Sequence, residues 1–213
     1  MLPISERLTR PLLADNPVTV QVLGLCSALA VSSSLRPAAI MAISVIAVMI
    51  FSSVTISLLR QVMPRNIRLI LEVTVIASAV IVVDEVLMVV APDVSFVLSV
   101  FIGLIITNCI VLGRVEAFAL HNPVGPSFLD ALGNGAGYAV VLLLIAATRE
   151  LFGAGSLYGL DFLPDAYPRN EMMLYAPSAF FLLGLIVWGG HAIQRRTASR
   201  RSAGAQPAAK VSR

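Results

Sequence analysis

The sequence predicts an all-α integral membrane protein with six transmembrane helices, arranged as two inverted three-helix repeats whose first and fourth helices are interrupted. Three observations support this class. Hydrophobic residues make up 58% of the 213 residues and charged residues 13%, whereas globular domains carry about 25% charged residues. Five uncharged segments are long enough to cross a membrane, and basic residues are concentrated on one side of these segments. A soluble catalytic domain is therefore excluded.

The uncharged segments are residues 18–35, 37–59, 94–113, 131–148 and 172–194. A spanning helix needs about 20 apolar residues, so each segment is a candidate span. A sixth span, residues 68–90, is rich in Val, Ile and Leu but contains Glu72, Asp84 and Glu85. We expect Pro17 to open the first helix, since proline fits a first helical position, and residues 122–126 to form the loop before the fifth. The domain is predicted over residues 1–195, followed by a basic, disordered tail at 196–213.

The two halves of the chain, about residues 16–91 and 94–195, each contain three predicted spans. An odd number of spans gives the halves opposite membrane orientations, as in inverted-repeat proteins whose sites lie on interrupted helices. Each half begins with a cysteine among small or polar residues, Ser27 and Ala28 in one half, Thr107 and Asn108 in the other. Such residues allow helix interruption, although close helix packing also explains them.

The distribution of basic residues predicts the orientation. Twelve of the 15 Lys and Arg residues lie at the termini or in the second and fourth loops, and the other three are Arg36, Arg149 and Arg169. The positive-inside rule then places both termini in the cytoplasm. The basic tail suits contact with anionic membrane lipid. Nucleic-acid binding is not expected, because no basic face is interleaved with exposed aromatic residues.

Cys26 and Cys109 are the only cysteines, and each lies within an apolar, membrane-length segment. Iron–sulfur clusters are held by four cysteine thiolates, so these two could supply half of a site completed by another chain. Buried cysteines are also common as inert packing residues. The residues alone leave both interpretations open.

Acidic residues within spans are the other candidates, because an intramembrane carboxylate is costly unless it is paired or hydrated. Glu72 follows Arg68 by one helical turn, which predicts a local ion pair. Asp84 follows the uncharged stretch 77–83 and is the candidate for an ion pathway; the alternative is that it reaches to the interface.

Arg149 and Glu150, at the end of the fifth span, are expected to be interfacial anchors. The glycine-rich residues 133–137 predict a close helix contact, and no catalytic residue is predicted.

The two cysteine segments resemble a known family. Residues 24–31, GLCSALAV, and 105–119, IITNCIVLGRVEAFA, strongly resemble the D-subunit family of the sodium-translocating NADH:quinone oxidoreductase (Nqr), to which the E subunit of the Rnf electron-transport complex is related. The likeness covers about residues 16–188. It includes GNGAGY at 133–138, RELFG at 149–153 and APSAFF at 176–181.

This resemblance implies that six-helix D and E subunits pair in opposite orientations and hold one [2Fe–2S] cluster between them. Cys26 and Cys109 match the two cysteines that the D subunit contributes as iron ligands, and the homologous E subunit supplies the other two. The six-subunit complex lies in the bacterial inner membrane, transfers electrons from NADH to ubiquinone and exports sodium. The flavin-attachment motif Ser/Thr-Gly-Ala-Thr is absent, so no covalent flavin is expected on this chain.

Other functions fit the same pattern. An Rnf-type electron-transport subunit is the nearest alternative. A small secondary transporter would also have six spans, inverted repeats and intramembrane acids, and a scaffold subunit could carry purely structural cysteines.

Overall fold

The computed structural model describes residues 16–90, 102–153, 156–157, 160–161 and 175–204. Its helices are α1 Leu25–Val31, α2 Leu35–Leu59, α3 Arg68–Val90, α4 Ile102–Ile106, α5 Cys109–Arg114, α6 Val124–Gly153 and α7 Ala176–Gly204. A 3₁₀ turn at Arg65–Ile67 precedes α3, and α5 continues into a π-helical turn at Val115–Ala119. Two short strands, β1 Ser156–Leu157 and β2 Leu160–Asp161, pair in antiparallel orientation, with Ser156 opposite Asp161. Apart from these strands and the connecting turns and irregular segments, the described part is helical.

Helices α2 and α6 form an antiparallel pair at the centre of the described part. The backbone N–H of Leu35, at the start of α2, donates to the Glu150 carboxylate near the end of α6. At the opposite end of α2, Ser57 Oγ donates to the carbonyl of Asn122, just before α6, at 2.7 Å. The second helices of the two halves therefore run in opposite directions along each other.

Residues 133–137 allow the two central helices to approach closely, as predicted. Gly135 is buried, and a Cβ atom at this position would lie 3.0 Å from Ile46 Cγ1. A side chain at position 135 would force Ile46 to shift, so glycine favours the close approach of the helices at this point. Their buried apolar side chains form the main core, which includes Met41, Val45, Leu142 and Ile145.

In the described part of the chain, α2 and α6 are long and apolar enough to cross a membrane, and Pro177–Ala192 is a shorter apolar helix. The number of spans stays a prediction.

The predicted start of the first helix is wrong. Pro17 lies in a turn, and helical structure begins only at Leu25. The physical reason is the backbone at Val22 and Gly24, whose φ angles of 56° and 83° are incompatible with a right-handed helix.

Two other boundaries also differ from the prediction. Helix α6 already begins at Val124, so Pro126 lies in its first turn rather than in a loop; the missing N–H of a proline is tolerated there. Helix α7 continues to Gly204, beyond the point at which we expected disorder. Between His191 and Ala203 the sequence has no glycine or proline, and its Ala, Arg and Gln residues favour helix. Residues 205–213, the rest of the predicted tail, lie outside the described residues.

Candidate metal centre at the two cysteines

The position of Cys109 is set by a break in the helical path. Helix α4 ends at Ile106 and α5 begins at Cys109, so the predicted interruption of the fourth helix is present at Thr107 and Asn108. Asn108 has extended backbone geometry and caps the new helix, because its side-chain oxygen accepts a hydrogen bond from the N–H of Ile110 at 3.3 Å. Asparagine is a favoured residue at this capping position. The break therefore places Cys109 in the first turn of α5.

The segment that contains Cys26 contacts Cys109 through a backbone amide. The N–H of Gly24 donates to Cys109 Sγ at 2.9 Å. Gly24 precedes α1, and Cys26 lies in the first turn of that helix. The fold thus brings the two cysteine segments of the sequence together, at the junction between the two halves of the chain.

Ser27 connects the polar side chains behind the cysteines. Its Oγ donates to the Gly24 carbonyl at 3.1 Å and accepts from Asn108 Nδ2 at 3.0 Å. The Tyr138 hydroxyl lies 2.7 Å from the same atom. A serine hydroxyl has one hydrogen to donate and two acceptor positions, so Tyr138 is the donor in this last bond. The Ser27 hydroxyl is then fully satisfied, as a buried polar group should be.

The two thiols differ in accessibility. Both cysteines are free; Cys26 is exposed on the surface of the chain and Cys109 is half-buried. An exposed thiol is the opposite of what inert packing predicts, because packing cysteines are buried. Within the described residues, no group of three or more His, Cys, Asp or Glu side chains could hold a metal ion.

The acidic candidates Glu72 and Asp84 lie on α3. Asp84 is half-buried, and its Oδ1 atom is buried without a hydrogen-bond partner among the described residues. The predicted pair between Glu72 and Arg68 is confirmed, with 3.6 Å between Glu72 Oε1 and Arg68 Nε. Arg68 Nη2 also donates to Glu116 at 2.9 Å. Within the described part, no hydrogen bond joins Glu72 or Asp84 to a cysteine segment.

Comparisons with known proteins identify the family. The model of the Rnf-Nqr subunit family, described as a membrane protein, matches residues 4–187. The chain belongs to the Rnf-Nqr family. A relative from Pseudomonas aeruginosa, named as the D subunit of a Na+-translocating NADH-quinone reductase, is 52% identical over 190 residues, which cover 87% of this chain and 85% of the relative.

Relatives of the same name from two other bacteria are similarly close. The one from Aeromonas hydrophila is 51% identical over 191 residues, covering 87% of this chain and 91% of the relative. The one from Psychromonas ingrahamii is 51% identical over 190 residues, covering 87% and 90%. These relatives are subunits of an oxidoreductase complex, and the resemblance of the chain to this family is confirmed.

The Arg149–Glu150 pair of this Rnf-Nqr chain is not an interfacial anchor, contrary to the sequence-based expectation. Both side chains are buried, with Arg149 2% exposed. Arg149 Nη1 donates to Ser32 Oγ at 2.6 Å and Nη2 to the carbonyl of Tyr175 at 3.3 Å. Arg149 thus joins the turn that follows α1 to the start of α7. Ser32 is 117 positions away in the sequence, so no local pattern could reveal this role.

A second pair in this Rnf-Nqr chain lies at the end of α5. Arg114 Nε donates to Asp130 Oδ2 at 3.0 Å, and Arg114 Nη2 bonds to Asp130 Oδ1. Asn134 Nδ2 donates to Asp130 Oδ1 at 3.1 Å. A fork of two bonds between guanidinium and carboxylate fixes orientation as well as distance. The pair therefore holds the helical segment that follows Cys109 against α6, and sequence reasoning missed it because the partners belong to separate helices.

Proposed function

We propose that this chain is the D subunit of a sodium-translocating NADH:quinone reductase, and that Cys26 and Cys109 supply half of a [2Fe–2S] cluster shared with a homologous six-helix E subunit. The names of the relatives support the complex. One structural observation supports the site. A hydrogen bond from the Gly24 N–H to the Cys109 sulfur joins the two cysteine segments, and the Cys26 thiol is left exposed.

The residues present fit half of such a centre. Two free thiols are two of the four that a cluster needs. The N–H of Gly24, directed at the Cys109 sulfur, is a donor of the kind that stabilises negative charge on a metal-bound thiolate. When bound, a [2Fe–2S] cluster supplies one-electron transfer. The chain's own contribution is to hold two sulfur atoms at the junction of its halves and to present Cys26 to a partner.

The packing of the halves supports the inverted-repeat arrangement. Each long helix contacts the loop that precedes its counterpart: Ser57 of α2 bonds to Asn122 before α6, and Arg149 of α6 bonds to Ser32 before α2. Reciprocal contacts between antiparallel helices are what a two-fold axis in the membrane plane produces. A sister subunit built in the same way, in the opposite orientation, would present an equivalent pair of thiols.

Iron analysis and EPR spectroscopy of the purified complex test this proposal. We expect an intramembrane [2Fe–2S] signal in complexes that contain both six-helix subunits. This chain expressed without its sister subunit should lack iron, because the exposed Cys26 would have no partner ligands. An iron-replete chain on its own, or a complete complex without the signal, would overturn the shared cluster.

We also propose that both termini lie in the cytoplasm of a bacterial cell and that the chain crosses its inner membrane six times. The basic asymmetry of the loops supports this orientation. A topology reporter fused after Arg213 should be active as a cytoplasmic fusion, and one inserted within residues 153–171 should be active as an external fusion. The reverse pattern would contradict the orientation.

Asp84 is our candidate for the sodium pathway, since Oδ1 is buried without a hydrogen-bond partner among the described residues. Replacing Asp84 by Asn removes the charge that would attract a cation but keeps the size of the side chain. We expect the sodium dependence of quinone reduction to weaken while the cluster signal remains. Glu85→Gln, at the exposed neighbouring position, is the matched control and should leave the sodium response unchanged. An unaltered response in Asp84→Asn would show that Asp84 is not required.

A further inference from the structure

The backbone at Gly24 has a conformation that other residues rarely adopt. Its φ angle is +83°, in the left-handed region. L-amino acids with a side chain are disfavoured there because Cβ approaches the following carbonyl oxygen. This left-handed residue ends the irregular segment before α1, and it turns its N–H towards Cys109 Sγ, 2.9 Å away.

The ring of Tyr138, on α6, occupies the space into which a side chain at position 24 would extend. A Cβ atom at Gly24 would lie 2.9 Å from Tyr138 Cε2 and 3.0 Å from Cδ2. The ring cannot move aside easily, because the side chain is fully buried and its hydroxyl donates to Ser27 Oγ. Any side chain at position 24 would therefore displace the Gly24 backbone instead of the tyrosine.

The carbonyl side of Gly24 is also fixed. Ser27 Oγ donates to the Gly24 oxygen at 3.1 Å, and Ser27 in turn accepts from both Tyr138 and Asn108. Because Asn108 caps the helix that begins with Cys109, the same network positions the donor Gly24 and the acceptor Cys109. The N–H and the sulfur are thus held towards each other by groups from three separate parts of the chain.

A hydrogen bond of this kind has a defined effect on a metal-bound sulfur. Reduction adds negative charge to the cluster and its thiolates, so an N–H donor stabilises the reduced form more than the oxidised form. Hydrogen bonds to the sulfur atoms are among the factors that set cluster potentials. We infer that the Gly24 amide, positioned by Tyr138 and Ser27, raises the reduction potential of the cluster through its bond to the Cys109 sulfur. This inference rests on the proposed function and deepens it.

Redox titration of the assembled complex, followed by EPR, tests the inference. Gly24→Ala should displace the N–H and destabilise the reduced form. At a fixed ambient potential, the ratio of reduced to oxidised cluster should fall roughly tenfold, which corresponds to a midpoint shift of about −59 mV for a one-electron couple. Gly125→Ala is the matched control, because a Cβ atom there would meet nothing within 4 Å, and its potential should equal that of the unmodified complex.

Tyr138→Phe is the second variant, since it keeps the ring against Gly24 and removes only the hydroxyl bond to Ser27. We expect a smaller shift in the same direction. If Gly24→Ala prevents cluster incorporation, the reduction potential of the cluster in the Tyr138→Phe variant is the deciding measurement. A lowered potential supports the inference, and an unchanged potential overturns it. Unchanged potentials in both variants, with the cluster signal at full intensity, would overturn the inference and leave the shared cluster standing. Absence of the signal from the unmodified complex would instead remove the proposed function.

Discussion

Replacing either Cys26 or Cys109 by serine should abolish quinone reduction and sodium export by the assembled complex. A serine hydroxyl remains protonated and bonds iron poorly, so either variant would lose a ligand of the shared cluster. Reduction of an artificial acceptor by NADH at the cytoplasmic side should survive, because this step precedes the membrane crossing. The measurements are quinone reduction, acceptor reduction and the EPR signal of the same preparation.

The control for this experiment is Ala30→Ser. Ala30 lies on α1 one turn after Cys26 and, like Cys26, is exposed, so it receives the same hydroxyl on the same helix face while both thiols are kept. We expect normal turnover and a normal cluster signal. If the cysteines were packing residues, serine would cost on the order of 1–3 kcal/mol of stability and lower the yield without changing turnover per complex. Normal quinone reduction by assembled complexes that carry both serines would end the cluster hypothesis.

The second large effect is expected at Arg149. Arg149→Ala removes a buried guanidinium that bonds to Ser32 Oγ and to the carbonyl of Tyr175. Loss of the donor to the buried Ser32 hydroxyl and to the Tyr175 carbonyl, together with the cavity, should cost about 2–4 kcal/mol of stability. We therefore expect a lower unfolding temperature of the complex in detergent and a lower yield of the assembled complex.

Arg36→Ala is the matched control for Arg149. Arg36 lies in the first turn of α2 on the same predicted side of the membrane, but it is exposed, and surface substitutions usually change stability by less than about 0.5 kcal/mol. Arg149→Lys adds a second comparison, because a lysine retains the charge but lacks the fork that reaches two acceptors. Equal unfolding temperatures for Arg149→Ala and Arg36→Ala would show that the buried bonds contribute nothing to the fold.

The sequence predicted the elements whose signal is local. The uncharged residues 37–59 and the apolar residues 68–90 correspond closely to α2 and α3, because apolar length and flanking charges are properties of the segment itself. The small and polar residues beside Cys109 predicted a break in the fourth helix, since the amide of Asn108 can cap a new one. The choice of Cys26 and Cys109 as candidate residues also came from the sequence, which contains no others.

Only the tertiary structure decided which of these segments meet. The N–H of Gly24 and the sulfur of Cys109 are 85 positions apart, and their contact depends on how the halves pack. The same is true of Arg149. Its partner Ser32 belongs to the other half of the chain, so the sequence around Arg149 gave no sign of this bond and indicated only an interfacial anchor. The left-handed backbone at Gly24, which delays the start of the first helix to Leu25, lies against the ring of a distant tyrosine, Tyr138. Hydropathy and local propensity describe a segment by its own residues, whereas hydrogen bonds and steric contacts between segments exist only after packing has brought them together.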